Sequence, residues 1–122
     1  LGNVDNTSDA NKPVSGAQQS ALDLKLTKPT FVNVTNAQSP FTASINTIIL
    51  VDATDGNVTI NLPASATLLS NDIGVKRVDI SVNTVTVDAN GSETIDGSLT
   101  ATLTQQYEFK KFSSNGTAVY IV

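Results

Sequence analysis

The sequence contains no cysteine, histidine, methionine or tryptophan. Without cysteine there is no disulfide, thiol nucleophile or thiolate metal site, and the redox compartment leaves no mark on the chain. Without histidine as well, the usual pairing of a nucleophile with an imidazole base cannot be assembled. Aromatic residues make up only 5% and charged residues only 15%. Cations cluster no further than the pairs Lys76-Arg77 and Lys110-Lys111, so the basic face that nucleic acid requires is not encoded. No apolar run approaches the length of a membrane span and no signal peptide is visible, so membrane insertion is not expected. The chain opens with Leu1 instead of Met, from which we expect a processed or recombinant piece of a longer protein.

What is present is 122 residues with a formal net charge of −4, enough for one domain and a connecting segment. Thr, Ser, Asn, Val and Ala dominate. That mix favours short strands with polar outer faces around a core of small β-branched side chains. A core this thin gains stability from association.

The first 30 residues read as a polar arm and a short helix. Leu1–Lys12 is rich in turn formers, with Asn3, Asp5, Asn6, Asp9 and Asn11 offering side-chain bonds to the backbone. Pro13 favours a helix start after it, Ser15 serves as N-cap, and Gln18 closes a capping box. Val14, Ala17, Ala21 and Leu24 then recur at the 3-4-3 spacing of a coiled-coil seam. Two heptads are too short to stand alone in water, so the seam is either an edge of its own domain's core or a meeting line between identical chains. Leu22, Leu24 and Leu26 also alternate as a strand would, which leaves the helix end open.

Residues 31–122 read as a β-domain. Strands are expected at Phe31–Val34, Ile45–Val51 (the most apolar run), Val58–Leu62, Val75–Val82, Val85–Val87, Leu99–Leu103, Tyr107–Phe112 and Val119–Ile121. Val78, Ile80 and Val82 are expected to face the core, with Arg77, Asp79 and Ser81 outward and Val75 out of step. Tyr107, Phe109 and Lys111 share one face of their strand, and Tyr120 opposes Val119 and Ile121. Asn90-Gly91 and Asn115-Gly116 are hairpin signals, with a further turn at Asp96-Gly97. Regular short strands with Gly-containing turns imply a small antiparallel β-sandwich or barrel.

The chemistry on offer is carboxylates and loop oxygens. Asp88, Glu93 and Asp96 gather near two turns, as a glycosidase pair could, yet Asp beside Gly is ordinary turn chemistry and no aromatic walls flank them. Asp88-x-Asn90-x-Ser92 and Asp52-x-x-Asp55-Gly56-Asn57 carry oxygen ligands but depart from the EF-hand loop. Five N-x-Ser/Thr triplets, at Asn6, Asn33, Asn57, Asn90 and Asn115, follow from composition. No metal or cofactor is expected. Tyr107 and Tyr120 are the candidate rings for stacking on a glycan, with buried packing as the other use of each.

Leu1–Lys25, LGNVDNTSDANKPVSGAQQSALDLK, resembles a segment that recurs in tailed-bacteriophage fibre proteins, where it joins a shaft or attachment region to the next part of the chain. NVTINL at Asn57–Leu62, VNTVTVDANGSETIDG at Val82–Gly97, and Tyr107–Val122 resemble a small β-domain of phage fibres and other virion appendages. Its mark is a strand, an Asn-Gly turn and then SETIDG. Here the last strand reads TAVYIV, where such domains often carry a Trp before the Tyr. Together the two likenesses cover most of the chain apart from Lys28–Asp55 and Ala64–Ile73. The resemblance implies a homotrimeric structural protein on the virion surface, joined through Val14, Ala17, Ala21 and Leu24 and without catalytic residues. It further implies contact with other virion proteins through the N-terminal region and with a host surface polysaccharide through the β-domain. Tail, neck and capsid sites all fit, a capsid decoration (head fibre) protein being the nearest alternative. A monomeric carbohydrate-binding adhesive module of a bacterial surface protein is another, and a glycan depolymerase fragment a third.

Overall fold

A computed structural model describes residues 28–122. The expected arm and the seam of Val14, Ala17, Ala21 and Leu24 lie outside the described residues. The described chain is mainly β, built as two mixed sheets that do not close into a barrel.

In order the elements are β1 (Thr30–Thr35), a 3-10 turn (Asn36–Gln38), β2 (Phe41–Thr42), β3 (Thr47–Asp52) and β4 (Val58–Asn61). Next come α1 (Ser65–Leu68), β5 (Ile73–Arg77), β6 (Val85–Asp88), β7 (Thr100–Leu103), β8 (Phe109–Ser114) and β9 (Val119–Ile121). The larger sheet runs β9-β8-β5-β3-β1 and the smaller β2-β4-β6-β7. From β1 to β6 the chain therefore alternates between sheets, laying down one strand in each before returning. The pairs β1–β3, β3–β5, β2–β4 and β4–β6 are consequently parallel, while β5–β8, β8–β9 and β6–β7 are antiparallel. The result is a short three-rung coil finished by antiparallel strands.

This corrects the all-antiparallel expectation. Alternation of apolar and polar residues reports which face is wet, not which way the neighbouring strand runs. The turn at 53–57, with Gly56 at φ +155°, carries the chain from one sheet to the other and does not fold it back on β3. A Cβ on Gly56 would lie 2.7 Å from the Asn36 side-chain nitrogen. That nitrogen donates to the Asn57 carbonyl at 2.7 Å, so the close approach ties the crossing after β1 to the crossing after β3. Asp96 and Gly97, both at positive φ, make the expected tight turn, bridged by Ile95 and Ser98. Asn115-Gly116 connects β8 to β9 as a hairpin, with the Asn115 N–H donating to Ala118.

The core lies between the sheets. Val34, Ile49, Val51, Ile73, Val75, Phe112 and Val119 from the larger sheet meet Val58, Ile60, Val85, Val87 and Leu103 from the smaller, all fully buried. Leu68 of α1 and Ile95 plug the sides. Small β-branched residues supply most of this interior, as their abundance implied.

A second correction concerns 75–82. Val75 and Arg77 face inward, Asp79 is buried beside them, and Ile80 (77% exposed) and Val82 (99%) face solvent. The expected phase is inverted because Arg77 and Asp79 satisfy each other. Arg77 Nε and Nη2 donate to the two Asp79 oxygens at 3.2 and 3.0 Å, and its remaining donors reach the Leu103 and Ser81 carbonyls. Asp79 also accepts from the Ala53 and Ser81 amides and from the Ser81 hydroxyl. A fully bonded pair can occupy a core position that either charge alone could not.

Candidate functional site

The outer face of the larger sheet holds most of the exposed aromatic surface. Inward residues of β1, β3, β5 and β8 are Val32 and Val34, Ile49 and Val51, Val75, and Phe112, so the intervening positions point out. The strand registers place Phe31, Ile48, Gly74 and Lys111 in one outward row, and Asn33, Leu50, Lys76 and Phe109 in the next. On β9, Tyr120 pairs with Ser113 and points to the same side. Phe31 (54%), Tyr107 (60%), Phe109 (45%) and Tyr120 (45%) are exposed, which accounts for four of the six aromatic residues of the chain.

Tyr107 is held there by a strained turn. Its φ is +66°, a left-handed conformation that costs a residue with a Cβ about 1–2 kcal/mol. The strain is offset by a 2.6 Å bond from its N–H to the Arg77 carbonyl and by Glu108. The Glu108 carboxylate accepts from the amides of Thr104 and Gln105 and pairs with Lys110 at 2.8 Å. The Lys110 bond holds this carboxyl below the usual range against the opposing effect of partial burial, with the two amides helping. The turn thereby aims the ring at Lys76, whose Nζ sits 5.8 Å from the ring centroid. Lys28 Nζ stands 5.9 Å from the Phe31 ring in the same manner.

Beside the Phe109 ring lies an open cleft of about 260 Å3. Its floor is Ile48, Gly74 and the Phe109 ring, and its rim carries Asn46, Asp72 and Lys111. The cleft exists because residue 74 has no side chain: a Cβ there would lie 2.7 Å from the Phe109 ring. Asp72 and Lys111 approach to only 3.8 Å and both are well exposed, a pairing loose enough to open toward a ligand. An aromatic floor with an amide, a carboxylate and an ammonium on its rim can hold the apolar face of a sugar while bonding its hydroxyls.

The structure thus brings both candidate tyrosines to one face but not to one point. Tyr107 and Tyr120 bracket the length of β8, on the order of 20 Å apart at a strand's rise per residue. Phe109 and Lys111, whose shared face with Tyr107 was legible from alternation, lie between them. Phe31 was missed as a member of this face. Its signal was available, since in Phe31-Val32-Asn33-Val34 the Phe shares its phase with the polar Asn33.

Two of the three carboxylates weighed for catalysis, Glu93 and Asp96, are held in structural bonds. Glu93 accepts from the Ser65 amide at 2.9 Å and hydroxyl at 2.8 Å, and Asp96 accepts from the Ile121 amide. Asp52 accepts from the Thr54 amide and hydroxyl, and the Asn57 side chain accepts from the Thr84 amide. Among the described residues no three Asp or Glu side chains come together as a metal site, and none of their helices is long and apolar enough to cross a membrane. In comparison with known proteins, no family model and no curated protein matches the chain.

Proposed function

We propose that this chain is a structural fibre component of a tailed-bacteriophage virion, assembled as a homotrimer through Val14, Ala17, Ala21 and Leu24, that touches the host surface with its β-domain. The observation that carries this reading is the set of four exposed rings on the outer face of the larger sheet. A thin-cored domain that leaves most of its few aromatic residues in water is built for contact. The resemblance of Leu1–Lys25 and of the SETIDG turn to fibre proteins supports the same reading. The turn has a structural use: Glu93 anchors α1, Ile95 enters the core, and Asp96-Gly97 reverses the chain. N-terminal contacts with other virion proteins and a host polysaccharide as the partner of the β-domain belong to this proposal.

Sedimentation of the wild type beside Leu24→Asp tests it. The wild type is expected at three times the 12.7 kDa of one chain, and a charge on the seam should dissociate it. A monomeric wild type would overturn the fibre reading. The exposed rings would then favour the second one, a monomeric carbohydrate-binding adhesive module.

A further inference from the structure

The attachment role leaves the chemistry of the bound surface open, and the distribution of charge narrows it. The chain as a whole is acidic, at −4. Five cations fall among the described residues, Lys28, Lys76, Arg77, Lys110 and Lys111. Arg77 is buried against Asp79 and Lys110 is paired with Glu108. The other three stand among the exposed rings of one face: Lys28 over Phe31, Lys76 over Tyr107, and Lys111 on the rim of the cleft floored by Phe109. Among the described residues of this acidic protein, the outward cations thus stand where the outward aromatic rings are. The acids of this face are Asp72, 3.8 Å from Lys111, and Asp52, at the far end of β3 and already bonded to Thr54.

We propose that the outer face of the larger sheet binds an anionic glycan, its sugar rings lying on Phe31, Phe109 and Tyr107 and its carboxylate or phosphate groups meeting Lys28, Lys76 and Lys111. This rests on the attachment role proposed above. Ring faces suit the C–H side of a sugar, the Asn46 and Asp72 side chains suit its hydroxyls, and ammonium groups on flexible stems suit charges that repeat along a polymer. A second copy of the chain is the poorer occupant. Burial between copies would desolvate three lysines with one acid close by, and lysine is depleted from the cores of protein interfaces.

Calorimetric titration of the full chain with an oligogalacturonate, a poly(hexose phosphate) and a neutral dextran, at low and high salt, tests the proposal. One or both anionic polymers should bind, which of them binds separating carboxylate from phosphate recognition. That binding should weaken about tenfold on raising the salt, with dextran weaker at low salt. Lys76→Gln with Lys111→Gln should cost about tenfold in affinity for the anion, with the melting temperature little changed because Lys111 is exposed, Lys76 is half-buried, and neither holds a buried ion pair. Tyr107→Ala should weaken all arms together. Equal affinity for dextran and the anions, indifference to the lysine pair, or no binding in any arm would overturn it. So would tighter binding of a single-stranded oligothymidylate, whose stacking and charge make the same demands. Trimer assembly is read separately by sedimentation, so loss of the fibre reading and loss of the anion preference are distinguishable.

Discussion

Arg77 and Asp79 show how one pair of side chains can override a strand's apparent phase. With both charges about 2% exposed and nearly every donor and acceptor bonded, they are stable together and costly apart. Asp79→Asn should destabilise the fold by about 3–5 kcal/mol, the cost of leaving a buried charge without its counter-ion, read as a lower urea midpoint. Burial alone would raise the Asp79 pKa. The Ser81 hydroxyl, the Ala53 amide, Arg77 and the Ser81 amide outweigh it and hold the carboxyl far below its ordinary value. A depressed pKa contributes stability that is fully present above the unfolded value of about 3.9 and is lost as the pH falls below it. Urea midpoints measured down to about pH 2 should therefore fall steeply in the wild type and less so in Asp79→Asn. Gly74→Ala belongs to the same scale. Its Cβ must displace the half-exposed Phe109 ring, which should cost about 0.5–1.5 kcal/mol in chemical denaturation and narrow the cleft.

Single elements divide into those written locally and those fixed from a distance. β4, β6 and β9 follow from alternation alone, since Val58 and Ile60, Val85 and Val87, and Val119 and Ile121 each keep one phase. β5 does not, because its inward Arg77 reads as a surface residue until its partner two positions on is known. α1 is the other case. Its N-cap position is Ala64, which offers no side-chain acceptor, so no capping motif marks where the helical turn begins. The acceptor is Glu93, 28 residues away, bonded to both the amide and the hydroxyl of Ser65. Glu93→Ala should cost about 1–2 kcal/mol, as loss of a cap does, lowering the melting temperature, and Glu93→Gln should recover part of it. Such a bond is invisible to a window of neighbouring residues, as is the parallel pairing of β1, β3 and β5.

At the scale of the whole molecule, the mainly β character and the division into wet and dry faces were legible, because composition and period-2 alternation encode them directly. Strand direction and sheet count were not, since they depend on where each turn sends the chain. The site was legible in part. The phase of Tyr107, Phe109 and Lys111 was written in one strand, whereas the addition of Phe31, Lys76 and Tyr120 required knowing that their strands share a sheet. The assembly we propose is a trimer whose copies present a free aromatic and lysine-bearing face outward. The chain has two tyrosines, and both stand on that face. Nitration of Tyr107 and Tyr120, with peptide mass spectrometry of the products at concentrations where the wild type sediments as a trimer, asks directly whether the face is free. Both rings should be modified in the assembled protein, at rates that change little when Leu24→Asp dissociates it. Protection of both rings in the assembly, relieved on dissociation, would place the face between copies and contradict its role as the contact surface.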